Sequence, residues 1–163
     1  MRVMRKVKAF LNVDRELKAM LVEAYLYLGW ARFLKLLPFA KVAPSLGTKM
    51  VETSHSSKLE DKLTLRKVSN AIHMMSKYTF WESQCLVKAI AAMKMLEKRN
   101  IESTLYLGTG KDDKGQFAAH AWLRSGPFYI TGAEGMERFT VIAKFAKELT
   151  SEKLEGESHE SVN

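Results

Sequence analysis

From Arg15 to Leu37 apolar side chains return every three or four positions, at Leu17, Met20, Leu21, Ala24, Tyr25, Leu28, Ala31, Leu34 and Leu37. This period predicts a helix with one broad apolar face. Val22, Leu26, Trp30 and Phe33 widen that face, so burial on two sides is expected. Asp14 stands where an N-cap is needed. Pro38 ends or kinks the helix, because proline has no amide hydrogen and clashes with the preceding turn. A core helix is favoured over a docking or membrane-surface helix.

Residues 39–62 are less regular. Pro44, Ser45 and Gly47 mark a turn, and the polar run ETSHSSKLEDK reads as a loop in which His55 is solvated. This loop is the expected hinge between a helical N-terminal part and the rest. A second helix is predicted from Leu63 to Ser76, with Leu65, Val68, Ile72 and Met75 as its inner stripe and His73 beside it as a structural histidine. Thr79-Phe80-Trp81-Glu82 matches a capping box. A third helix is expected to run from there to about Lys98, with Asn100 in the left-handed region behind it. Cys85 then falls in its first or second turn.

Beyond Asn100 the period changes from about 3.6 to 2. Thr104 to Leu107 predicts a strand, Gly108 to Gly115 a turn, Phe117 to Arg124 a paired strand, and Phe128 to Ile130 a third. Phe139 to Phe145 is a fourth strand or a short helix. The residues after Leu149 are polar.

The length of 163 residues suits one compact domain, and 47% hydrophobic residues suffice for a core. One cysteine excludes an internal disulfide and any zinc site built on paired cysteines, and fits a reducing cytoplasm. No metal or cofactor is expected. No secretory signal is visible, and the most apolar run, Ala24 to Ala31, is far too short to span a bilayer. The net charge of +8 is concentrated in the first fifty residues. A basic face attracts acidic peptides, nucleic acid or anionic lipid, or is simply solvated. No zinc-finger spacing, RNA-binding aromatic motif or phosphate-binding glycine loop supports nucleic-acid binding. Membrane association is not expected.

The chemistry points to Cys85 and His120. A thiolate, not a thiol, is the nucleophile, and a helix start or a nearby imidazole favours it. The same free amides can hold an oxyanion once sulfur attacks a carbonyl. Alone, Cys85 reads as a small buried hydrophobe and His120 as an ordinary strand histidine. The order helix-start Cys then strand His, with Trp81 and Trp122 beside them, favours a nucleophile and its base.

The flanking residues carry a resemblance. W-x-x-x-C-L at Trp81, Cys85 and Leu86, the L-x-L-G strand at Leu105 to Gly108, H-A-W at His120 to Trp122, and the terminal T-G and F-T-V-I-A-K-F stand in the same order. Over about residues 63 to 146 the chain resembles the lasso-peptide biosynthesis B2 proteins, of the transglutaminase-like cysteine-protease superfamily.

The resemblance implies an α+β, papain- or transglutaminase-like fold, with N-terminal helices followed by a small antiparallel sheet packed on the Cys-bearing helix. It implies a cysteine peptidase that removes the leader from a lasso precursor peptide through an acyl-enzyme. Its partners would be that precursor, a separate B1 leader-recognition protein, and a lasso cyclase, an ATP-using macrolactam synthetase. Family members carry a Cys-His-Asp triad, but FYITGAEGME after His120 has no Asp. Thr131, Glu134 or a backbone carbonyl is left to orient His120. For the oxyanion, the Cys85 amide is the first donor, with Gln84 or the Trp81 indole as a second; Trp81 reads equally as a core aromatic. The expected organisation is a basic helical region over 1–62, the catalytic core over 63–149 and a polar tail over 150–163. Other thioester acyl transfer, of transglutaminase or deamidase type, and a non-catalytic peptide-binding helper are the alternatives.

Overall fold

A computed structural model describes residues 14–56 and 58–149. The basic segment before Asp14 and the polar tail after Leu149 lie outside the described residues. Helix α1 (Arg15–Leu34) starts as the sequence predicts, with an Asp14 carboxylate oxygen accepting the Glu16 amide at 3.3 Å. It buries Met20, Leu21, Ala24, Leu28 and Ala31. The expected burial on two sides does not occur. Val22, Leu26 and Phe33 are 50%, 65% and 60% exposed, while Trp30, at 36%, lies beside Tyr27 and under the Lys94 ammonium. A four-residue helix α2 (Phe39–Val42) and a 3-10 turn (Ala43–Leu46) follow, leading into the two-residue strand β1 (Thr48–Lys49). No period announces so short a strand, and β1 lies inside the stretch read as irregular.

Helix α3 (Asp61–Met75) buries Leu65, Val68 and Ile72 of the predicted stripe together with Ala71, and the fourth member, Met75, is half-buried against the same core. Helix α4 runs from Cys85 to Glu97. The predicted capping box does not form. The Thr79 hydroxyl instead lies within bonding distance of the Ser76 and Trp81 carbonyls and the Ser83 hydroxyl, at 3.1, 3.0 and 2.9 Å. Residues 79–84 stay non-helical while Trp81 packs on Tyr25 of α1, with ring centroids 5.2 Å apart. Tertiary packing has overridden a local helix signal, and the helix begins at Cys85. Its far end closes as expected. Asn100 has φ 53°, its amide reaches the Glu97 carbonyl, and the Ile101 amide reaches Leu96. That pair of bonds is a Schellman closure.

The sheet has five antiparallel strands in the order β1-β5-β2-β3-β4. Strand β2 (Ser103–Lys111) pairs with β3 (Phe117–Ser125), then β4 (Phe128–Thr131) follows on β3. β2 is longer than predicted, because Gly108 and Gly110 remain in the ladder, and the turn proper is formed around Asp112. Phe139–Lys147 is strand β5, not a helix, pairing with β2 on one side and β1 on the other. Helix α4 packs against β2, β3 and β4, with α1 and α3 on its other sides. Val87, Ile90, Met93 and Leu96 fill the layer between, facing Leu105, Leu123 and Phe145 in one core.

The opposite sheet face is closed by a buried polar strut. Arg124 is 3% exposed. It donates to the Tyr106 hydroxyl and to the carbonyls of Thr53, Ser54 and Gly126 at 2.7–3.1 Å. This ties the loop after β1 to the middle of the sheet.

Candidate active site

Cys85 is the first residue of α4. Gln84 precedes it in extended conformation and makes no side-chain cap. The first intrahelical bond runs from Lys88 to the Gln84 carbonyl, so the amides of the first turn are left free. The thiol is half-buried and opens into a cleft of about 320 Å³.

His120 stands on β3 opposite Gly108 of β2 and lines the same cleft. Its ring lies between Trp122, 5.7 Å away, and Phe139, 5.0 Å away. Nε2 is 2.8 Å from the carbonyl oxygen of Gly132. A carbonyl only accepts, so Nε2 carries hydrogen and Nδ1 keeps its lone pair. Gly132 has φ +71°, and a Cβ there would meet the Ala121 carbonyl oxygen at 2.4 Å. The loop therefore lies flat against β3, at the depth the imidazole needs. Among the described residues no hydrogen bond joins Cys85 to His120; the two face the space a substrate would fill.

Thr131 and Glu134 also line this cleft. The Thr131 hydroxyl is buried and has no hydrogen-bond partner among the described residues. Glu134 is exposed and makes no hydrogen bond there. Neither side chain touches His120 through a hydrogen bond; the Gly132 carbonyl does. Gln84 and Trp81 lie outside the cleft lining. The Gln84 amide is engaged on both sides, donating to Glu82 and accepting from Lys35 Nζ at 3.1 Å. Trp81 packs on Tyr25 and Phe80, with its indole nitrogen buried and without a hydrogen-bond partner among the described residues.

Lys88 and His73 are among the cleft residues that the sequence reading did not single out as functional. Lys88 follows Cys85 by three positions, a spacing that puts both on one helix face, and this signal was available. His73 was read as structural. It is exposed, lines the cleft, and binds the Ser69 carbonyl through Nδ1 at 2.8 Å. Among the described residues no group of three or more His, Cys, Asp or Glu could hold a metal ion. No described helix is long and apolar enough to cross a membrane.

A helix-start cysteine and an oriented imidazole around an open cleft can form and hydrolyse a thioester, or pass its acyl group to an amine. The chain matches no curated protein and no solved structure at a significant level. The model of the transglutaminase-like superfamily, which includes cysteine peptidases and acyltransferases, matches residues 24–144. That span begins inside α1 and ends within β5, and it holds Cys85, His120 and Gly132. The chain belongs to the transglutaminase-like superfamily.

Proposed function

We propose that this protein is a cysteine peptidase that removes the leader from a lasso precursor peptide. Cys85 Sγ attacks the carbonyl carbon at the leader–core junction while His120 Nδ1 takes the thiol proton. The Cys85 amide, at the uncapped start of α4, donates to the resulting oxyanion. His120 returns the proton to the departing amine, which is the N-terminus of the core. Water, deprotonated by His120, then hydrolyses the thioester and frees the leader carboxylate. The Gly132 carbonyl fills the orienting role that an Asp fills elsewhere in the resembled family. The precursor would be delivered by a separate B1 recognition protein, and the freed core would pass to the macrolactam synthetase, all in the cytoplasm.

The observation that carries this reading is the cleft shared by Cys85 and His120, with the imidazole already held at Nε2. The motif order around both residues supports the narrower assignment to lasso precursors. The test is incubation with a lasso precursor peptide, with and without a B1-type recognition protein. The expected products are a leader and a core whose masses sum to that of the precursor plus one water. Cys85→Ala and His120→Ala should each abolish them with the fold intact. Retained cleavage in either variant overturns the mechanism. An amine adduct in place of the water addition would assign the chain to acyl transfer.

A further inference from the structure

The cleft has a cationic wall that the thioester chemistry does not use. Lys88 is half-buried on α4, one turn beyond Cys85, where side chains three apart start only about 5–6 Å from each other. Two other lysines of this region are paired: Lys94 with Glu97 at 2.8 Å and Lys98 with Glu23 at 3.5 Å. Lys88 has no ion pair or hydrogen bond from its ammonium among the described residues. His73, on α3, lines the same cleft. Its Nδ1–H is spent on the Ser69 carbonyl, so in the neutral ring Nε2 only accepts and offers no hydrogen to a carboxylate. Thr131, on the floor, has a buried hydroxyl without a partner. Glu134 is the one carboxylate lining this space, and it is solvent-exposed on the loop beyond β4.

We propose that Lys88 binds a carboxylate of the substrate, so that the chain selects an acidic side chain flanking the scissile carbonyl. The inference rests on the reading of Cys85 as the nucleophile. A half-buried ammonium beside the reacting sulfur attracts such a group more strongly than an exposed one does. It also disfavours a cationic residue at the same position, so the discrimination acts in both directions. Lys88 is thereby a specificity residue, not a participant in proton transfer.

The single cysteine allows a direct test, because Cys85 is the one thiol in the chain and a Cys85→Ser control subtracts any alkylation at histidine, lysine or methionine. Iodoacetamide and iodoacetate react alike: sulfur forms a bond to the methylene carbon and iodide leaves. They differ in that iodoacetate carries a carboxylate next to the reacting carbon. The readout is the ratio of the two alkylation rates by intact mass at neutral pH. Lys88→Gln should lower the iodoacetate-to-iodoacetamide ratio about fivefold, the effect of one unit charge at about 4 Å in a watery cleft. Lys88→Glu should lower it further, and Lys88→Arg should keep it. A ratio unchanged in both Lys88→Gln and Lys88→Glu, including one in which both rates fall together, overturns the proposal while leaving the nucleophile in place. A wild-type chain that neither reagent labels overturns the nucleophile reading as well.

Discussion

The His120 imidazole donates from Nε2 to the carbonyl oxygen of Gly132 at 2.8 Å, so a main-chain atom sets the tautomer that leaves Nδ1 free. This arrangement depends on Gly132 lying against β3 at φ +71°. Gly132→Ala combines a disfavoured φ with a Cβ 2.4 Å from the Ala121 carbonyl oxygen. It should destabilise the fold by about 1–3 kcal/mol. It should also lower turnover at saturating substrate more than it raises KM, because the base and not the binding surface is displaced. Urea unfolding and steady-state kinetics check the two parts separately.

Neither Thr131 nor Glu134 bonds to the imidazole in this arrangement. Glu134→Gln should therefore retain most of the activity proposed for Cys85, since the Gly132 carbonyl is untouched. A loss on the scale expected of His120→Ala would assign Glu134 the orienting role instead. Thr131→Val removes a buried, unpartnered hydroxyl and should leave stability unchanged or slightly raised.

Arg124 is the strongest structural liability outside the cleft. Its side chain satisfies the Tyr106 hydroxyl and three carbonyls while 3% exposed. Arg124→Ala leaves the Thr53 and Gly126 carbonyls buried without this donor and should cost about 3 kcal/mol or more. Tyr106 stacks on Trp122 at 5.6 Å, and Trp122 lies against His120, so the loss should also reach the site. Thermal melting and Cys85 alkylation rates of the variant, compared at a temperature where it is folded, measure both.

Acid should weaken the fold through three glutamates. Burial raises the Glu23 carboxyl, but hydrogen bonds and charge from Arg99 and Lys98 outweigh it and hold the pKa below the ordinary 4.5. Burial likewise raises Glu97, and Lys94 and Lys147 more than offset it. Glu52 is held low chiefly by its hydrogen bond from Lys144. A carboxylate with a lowered folded pKa contributes stability that is complete above its unfolded value and is lost as pH falls through the folded value. Stability should therefore fall below about pH 4.5. Glu23→Gln should flatten that dependence, as read from urea midpoints at pH 3 to 7.

Much of this architecture was legible in the chain. The stripe of Leu65, Val68 and Ile72 marked α3, and the change of period after Asn100 marked the hairpin that carries His120. The start of α4 was not legible from local signals. Thr79 to Glu82 has the letters of a capping box, but the contact of Trp81 with Tyr25 holds that segment out of the helix, and only tertiary packing reveals it. The exposed side of α1 was misread because period alone does not count partners. The orienting group of His120 was left open for a related reason: a carbonyl belongs to every residue and leaves no mark in the sequence. Lys88 was findable by spacing from Cys85, whereas His73 reaches the cleft only through the packing of α3 beside β4 and α4.

The most direct test of the Cys85–His120 couple is the rate of iodoacetamide labelling of Cys85 at neutral pH, in the wild-type chain and in folded His120→Ala. The account predicts rapid, stoichiometric labelling of the wild type and at least a tenfold slower reaction without the imidazole, about 1.4 kcal/mol of lost activation. Equal rates in the two proteins would contradict it.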